Sequence, residues 1–280
     1  MERKLIFLDI DGTILIPGEG IRRTVKEGLQ KAREQGHQVF ICTGRCCHML
    51  TEELEDVTLD GVIANAGSDI WIHDTNIFRT SFDQARLRRA LEVLNALDTI
   101  YILEGYEKIY VSERGAAILS ESEPVPGDNP EIIRWKTFFS RWKNTGDIRG
   151  WDPQRAPIPK ISFMVFDRTE AERVYHALKK DFYVAFFPPR SETFFNGELI
   201  SMTADKGSAI RRTAGYLKAK MQDTIAFGDS MNDYQMIQEA ACGVVMGNGD
   251  EQLKKIADRI CETVEEDGVV RELARMGLIR

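Results

Sequence analysis

The stretch FLDIDGTIL, residues 7–15, constrains the fold more than any other part of this chain. Leu5 to Leu8 are apolar without alternation. That suits a strand buried on both faces, which in turn calls for a parallel sheet with helices on each side. The run then meets two aspartates spaced by one residue. On a continuing strand Asp9 and Asp11 would point to the same face and repel, so solvent or a cation must absorb their charge.

Similar short buried strands are expected at 39–42, 61–64, 224–227 and 244–246. Helices are expected over 24–35, 47–54, 206–220, 234–241, 252–257 and 269–276. This βαβ rhythm at both ends predicts an α/β fold: a doubly wound, Rossmann-like parallel sheet assembled from residues 1–82 and 190–280. The middle breaks the rhythm. It reads as a helix over 85–97, a hairpin of 100–103 with 108–112, a strand at 161–166, a helix at 170–180 and a strand at 182–187 closed by Pro188 and Pro189. Residues 83–189 are therefore expected to form an inserted α+β domain. Within it, a Pro- and Trp-containing stretch suggests a helix near 131–143. Trp135, Trp142 and Trp151 read as its core ahead of a substrate wall, and Arg134, Arg141 and Arg149 either as an exposed helix face or as partners for a second anionic group on a substrate.

Composition narrows the function. A net charge of -7 over 280 residues argues against a general nucleic-acid binder, which needs clustered Lys and Arg. It leaves room for a small phosphorylated substrate in a locally positive site. No apolar run reaches the ~18 residues of a membrane span, and the amino-terminal run is too short for a signal peptide, so a cytoplasmic compartment is expected. The five cysteines show no Cys-x-x-Cys pair and the four histidines are scattered, which gives neither a disulfide framework nor zinc spacing. Cys42 reads as core. Cys46 and Cys47 would be reactive only if a helix N-terminus lowered their pKa, and packing is the simpler reading.

In open parallel sheets, ligands lie beyond the carboxyl ends of the strands. The polar groups there are Asp9 and Asp11 after the first strand, and Thr43, Gly44 and Arg45 after the second. Lys206 opens a late helix, and Gly228, Asp229, Ser230, Asn232 and Asp233 follow a late strand. Each has an ordinary explanation: a solvated turn, a helix cap, a surface lysine. Their joint order does not. A D-x-D-G-T pattern alone arises by chance on the order of 10⁻⁵ per position.

FLDIDGTIL, ICTGR, DKG and FGDSMND resemble the four motifs of the haloacid dehalogenase-like (HAD) superfamily, and specifically its aspartate-nucleophile phosphatases. VIANAGSDI and MGNGDEQLKKIAD are similar to segments of the Cof-like sugar-phosphatase branch, which carries a C2-type α/β cap where this chain has its insertion. The resemblance implies a Mg²⁺-dependent phosphatase acting on small phosphorylated metabolites, above all sugar phosphates, with the cap closing over the site and setting specificity. It implies Asp9 as nucleophile, Asp11 as the acid and base, and Thr43, the Gly44 amide and Arg45 on the phosphoryl group. Lys206 would neutralise charge and hold Asp9. Asp9, the Asp11 backbone carbonyl and Asp229 would bind Mg²⁺, with Asp233 a direct or supporting partner and Asn232 an aid to phosphate or metal waters. A phosphomutase on the same core, or a phospho-ligand binding protein with little turnover, are the competing readings. The Cof-like segment usually reads Asn-Gly-Ala, whereas here Asn65, Ala66 and Gly67 invert the last two, so the turn should be built one residue later. The sequence sets neither the substrate nor the oligomeric state.

Overall fold

The structure is a computed structural model that describes residues 2–16, 18–50, 54–119, 145–186 and 195–280. The chain divides into two compact units, Met1–Thr80 with Thr203–Arg280, and Ser81–Met202.

Among the described residues the first unit carries an eight-stranded sheet. Its order is Arg259–Ile260, Cys242–Val245, Thr224–Gly228, Leu5–Leu8, Gln38–Cys42, Gly61–Ala64, Asp69–Ile72 and Thr75–Arg79. The first six strands run parallel. The lack of alternation in the apolar runs has a direct cause. Ile6, Leu8, Val39 and Ile41 pack on one face against Val25 and Leu29 of helix Arg23–Glu34 and Leu273 of helix Gly268–Arg275. Leu5, Phe7, Phe40 and Cys42 pack on the other against Ala209 and Ile210 of helix Lys206–Tyr216 and Met236 and Ile237 of helix Tyr234–Glu239. Phe7 and Phe40 stack with ring centroids 5.1 Å apart. Each large apolar side chain removed from water here contributes about 1.5–3 kcal/mol.

This strand order fixes where chemistry can occur. From Leu5–Leu8 the chain steps outward through Gln38–Cys42 and Gly61–Ala64, then returns at Thr224–Gly228 on the other side of the first strand. The order therefore reverses between Leu5–Leu8 and Thr224–Gly228, and a crevice forms at such a point beyond the strand ends.

Three expectations change. The helix expected over 47–54 is a 3₁₀ turn at Cys47–Met49, with residues 51–53 outside the described set. The antiparallel hairpin Asp69–Ile72 and Thr75–Arg79, which extends the core sheet, went unread because its outer strand is polar and half-exposed rather than apolar. Strand Phe195–Ser201 pairs with Lys160–Val165 and Phe182–Phe186, so the second unit extends to Met202 instead of ending at 189.

The second unit has, among the described residues, a six-stranded sheet ordered Thr145–Asp147, Ile109–Val111, Ile100–Glu104, Lys160–Val165, Phe195–Ser201 and Phe182–Phe186. Helices Gln84–Ala96 and Arg168–Leu178 begin at Asp83 and Asp167, whose carboxylates accept from the Arg86 and Glu170 amides. This is ordinary N-capping. Leu87, Leu94, Val174 and Leu178 of these helices pack on Leu103, Ile161, Phe163 and Leu199 of the sheet. Glu104, Lys160, Ser162 and Glu198 alternate with those residues and therefore project from the opposite face. Trp151 joins this unit's core and donates to the Ala156 carbonyl at 2.8 Å, and Arg149 pairs with Asp147. Trp135, Trp142, Arg134, Arg141, the helix expected at 131–143, Pro188 and Pro189 lie outside the described residues. Among the described residues no helix is long and apolar enough to cross a membrane.

Candidate active site

Asp9 follows the first strand, and its amide donates to the Phe227 carbonyl at 3.0 Å, which ties it to the strand on the other side of the switch point. Its side chain is buried. The strand ends at Leu8, and amides of Thr13, Ile14 and Leu15 all turn back onto the Ile10 carbonyl. Asp9 and Asp11 therefore do not share a strand face as the spacing suggested: Asp9 points inward and Asp11 is exposed. The repulsion is relieved first by the turn. Gly12 makes that turn with φ +79°, and a Cβ there would lie 2.4 Å from an Asp229 carboxylate oxygen. Only glycine fits both conditions.

Lys206 is brought in by the helix it opens. Asp205 caps that helix by accepting from the Ser208 amide at 2.8 Å, while the Asp205 amide donates to Ser208 Oγ at 3.1 Å. The buried Lys206 Nζ donates to Asp9 Oδ1 at 2.7 Å, Asp233 Oδ1 at 2.5 Å and Asn232 Oδ1 at 3.2 Å. The other Asp233 oxygen accepts from the amides of Asp229 and Ser230 at 3.0 and 3.1 Å. Both of its oxygens are thus engaged, and Asp233 braces the loop that presents Asp229. Ser230 Oγ donates to Asn232 Oδ1 at 2.9 Å.

Carboxylate oxygens of Asp9, Asp229 and Asp233 all lie within 4.8 Å of one another. Three carboxylates share one ammonium, so the group keeps surplus negative charge in a poorly solvated setting. Burial pushes Asp9 and Asp229 above the usual carboxylate range; repulsion from Asp233 and Asp11 adds to it in both, Asp9 adds to it for Asp229, and Lys206 opposes it. Burial alone would depress the Lys206 ammonium, but Asp233 and Asp9 outweigh it and raise its pKa. A hard divalent cation suits this donor set, which is all oxygen and more than one unit negative. The close fit of Gly12 under Asp229 leaves the carboxylate cradle clear of side chains from that turn.

Thr43 is buried after strand Gln38–Cys42, with its Oγ1 accepting from the Arg45 amide at 3.2 Å. The Arg45 guanidinium grips the Asp11 carboxylate in a fork, with Nε to Oδ2 at 2.8 Å and Nη2 to Oδ1 at 2.5 Å. The structure thus gathers Asp9, Lys206, Asp229, Asn232 and Asp233 directly, and Thr43, Gly44, Arg45 and Asp11 along the adjoining loops. The cysteines read as packing. Cys42 and Cys46 are buried, and burial together with Asp69 pushes the Cys47 thiol up to about 12, the opposite of activation by a helix end.

Sequence reasoning gave no role to Asp69. It is buried and held by Arg79 at 3.0 and 3.1 Å and by Asn76 at 2.7 Å, which anchors the outer hairpin beside Cys47. The inverted Asn-Ala-Gly turn is built with three successive positive φ values: Asn65 at 48°, Ala66 at 52° and Gly67 at 105°. A Cβ on Gly67 would lie 2.3 Å from the Asp205 carbonyl oxygen, so the glycine is needed where it stands. Ala66 takes the left-handed conformation that glycine would have eased, at a cost of about 1–2 kcal/mol.

Haloacid dehalogenase-like hydrolases match residues 6–273, and the chain belongs to that family. It is 27% identical to the phosphatase YwpJ of Bacillus subtilis (strain 168), over 98% of this chain and 99% of that protein. It is 25% identical to 5-amino-6-(5-phospho-D-ribitylamino)uracil phosphatase YcsE of the same organism, over 96% of this chain and 94% of that one. A solved HAD subclass IIB sugar phosphatase superposes with a TM-score of 0.80 at 20% identity, covering 99% of this chain and all of the other, a likeness of fold.

Proposed function

We propose that this enzyme, a HAD-type phosphatase, is Mg²⁺-dependent and hydrolyses small phosphorylated metabolites, sugar phosphates foremost, through an aspartyl-phosphate on Asp9. The observation that carries the reading is the Asp9 carboxylate, buried at the sheet's switch point and held by Lys206 at 2.7 Å among two further carboxylates. Its substrate class is drawn from relatives named as phosphatases of a phosphorylated ribityl compound and of sugars.

Phosphate monoesters resist attack because their own charge repels a nucleophile, so the protein must place an attacking oxygen and neutralise charge. Asp9 is placed by its backbone bond to Phe227, and its outward rotation is limited by Lys206. Its carboxylate attacks phosphorus, the P–O bond to the alcohol breaks, and the departing oxygen takes a proton from Asp11. Asp11 then removes a proton from water as that water attacks the acyl phosphate, releasing inorganic phosphate and restoring Asp9. Arg45 has two possible anionic partners in this sequence, the Asp11 carboxylate and the phosphoryl group. Moving to the phosphoryl oxygens would free Asp11 to carry its proton. Thr43 and the Gly44 amide are assigned to the remaining phosphoryl oxygens. Asp9, Asp229 and the Asp11 carbonyl would hold the metal, with Asp233 and Asn232 bracing them. Bound there, Mg²⁺ supplies charge neutralisation for the phosphoryl oxygens.

Asp9→Asn should abolish phosphate release from every substrate while the protein remains folded, as measured by free phosphate and circular dichroism. Turnover persisting in a clean Asp9→Asn preparation would sink the nucleophile assignment. Withdrawal of divalent ions with a chelator should stop turnover, and Mg²⁺ should restore it.

A further inference from the structure

Among the described residues, Asn65 is the single side chain with both polar ends buried and without a hydrogen-bond partner. The residue has no exposed surface. An amide in that state loses its bonds to water and gains none, and it does so on a backbone turned to φ 48°. Its surroundings are the segments assigned to the phosphoryl group. The Asn65 amide donates to the Arg45 carbonyl at 2.8 Å, and the Ala66 amide to the Thr43 carbonyl at 3.0 Å. On the other side, Gly67 packs directly on the Asp205 carbonyl and the Lys206 amide. The turn is thus clamped between the Thr43–Gly44–Arg45 loop and the start of the lysine helix. Two unsatisfied polar atoms and a run of left-handed residues coincide at that clamp, which is where strain that serves a site accumulates.

We infer that Asn65 is a positioning residue for the phosphoryl-binding loop: its carboxamide bonds the Thr43–Gly44–Arg45 segment when that segment closes on a phosphoryl group. The inference rests on the phosphatase reading for its ligand and deepens it. The carboxamide has two donors and one acceptor, enough to fix both a backbone carbonyl and a hydroxyl of the loop. A merely structural asparagine would be bonded in the unliganded fold, as Asn76 and Asn248 are.

The test uses the full chain with Mg²⁺ and two variants, Asn65→Gly and Asn65→Asp. Glycine relieves the positive φ and removes the orphaned amide, so Asn65→Gly should melt no lower than the wild type. Its kcat/KM on p-nitrophenyl phosphate should nonetheless fall about 10- to 100-fold, the loss expected when a hydrogen bond next to a charged group disappears. The rise in melting temperature caused by inorganic phosphate should vanish with it. Asn65→Asp keeps the size, loses the donors and should lose phosphate binding at least as fully, which also covers the case of a glycine variant that fails to fold. Wild-type kcat/KM and an unchanged phosphate shift in Asn65→Gly would overturn the inference, as would full rescue by aspartate. A wild type that binds phosphate but turns over no ester would sink the phosphatase reading alone; loss of that binding in the variants would still support the role of Asn65.

Discussion

Among the described residues each unit buries one lysine among carboxylates, and the two clusters differ in kind. In the first unit Lys206 meets Asp9 and Asp233, with Asp229 alongside, on loops beyond the ends of parallel strands. In the second, Lys160 meets Glu104 at 2.9 Å and Glu198 from neighbouring antiparallel strands, and Ser162 donates to Glu104. Lys160 and Glu104 are direct cross-strand partners. Strand positions hold side chains at fixed spacing, so the pleat itself sets the Lys160 cluster, in which two carboxylates share one ammonium and Glu198 Oε2 is left buried without a partner. Strand-end loops and a helix start let three segments distant in sequence converge, and they leave surplus charge pointing at a crevice. Burial of an ion cluster is therefore not a sign of function by itself; the place where its surplus charge points is the better sign.

The comparison would break most visibly at the two lysines. Lys206→Met should eliminate phosphate release and lower the unfolding free energy by about 3–5 kcal/mol in metal-free buffer, since it strands buried carboxylates. Lys160→Met should destabilise by a similar amount, about 3–5 kcal/mol by denaturant titration, for the same reason. The contrast lies in the compensated variant. Replacing Glu104, Lys160 and Glu198 together by Leu, Met and Leu should bring stability back to within about 1–2 kcal/mol of the wild type and keep turnover of p-nitrophenyl phosphate. Loss of that turnover in a folded triple variant would mean that the second cluster is also chemical.

Next in size is the metal response. Mg²⁺ at 100 times its dissociation constant should stabilise the wild type by about 2.7 kcal/mol, seen as a raised melting temperature. Asp229→Asn should lose most of that rise, while the Lys160 cluster variants should keep it. Gly12→Ala should cost about 1–2 kcal/mol for its left-handed φ and push the Asp229 carboxylate aside, so calorimetry should show a lower Tm together with a weakened Mg²⁺ response.

The smallest expected effect concerns His37, at the opposite end of the core sheet. It is buried, its Nδ1 accepts from the Lys4 amide at 3.1 Å, and burial above all, with nearby positive charge including that of Lys4 adding to it, holds its pKa below the ordinary imidazole value. The unfolded chain then binds a proton more readily than the folded one. Stability from this residue is present above the unfolded pKa and falls as pH drops through the window down to the folded pKa. His37→Gln should flatten that part of the stability–pH curve by less than one proton's slope, without changing phosphate release at neutral pH.

Much of this was legible in the chain because the controlling signals are local. Leu5–Leu8 and Gly61–Ala64 were readable to the residue, since buried strands of a parallel sheet show as unbroken apolar runs. The candidate site residues were readable as a set because strand ends gather ligands. The outer hairpin Asp69–Arg79 was not, because an exposed edge strand carries no apolar pattern. Strand Phe195–Ser201 was misplaced because it follows a proline pair and holds Asn196, Gly197 and Glu198, which read as a loop until its partners are known. The spacing of Asp9 and Asp11 misled for a similar reason: period two holds only while the strand lasts, and it ends at Leu8.

By itself the sequence determined the α/β class, the insertion, and the chemical inventory of two aspartates, a threonine, a lysine and a further acidic loop, all of which are properties of residue type and spacing. Only the tertiary structure decided which carboxylate is buried and which is exposed, that Asp233 braces where Asp229 presents, that Arg45 holds Asp11, and that Asn65 stands unpaired beside them. Those are matters of distance and solvation between segments up to some two hundred residues apart, as between Lys206 and Asp9, whose separation of 197 positions no local pattern records.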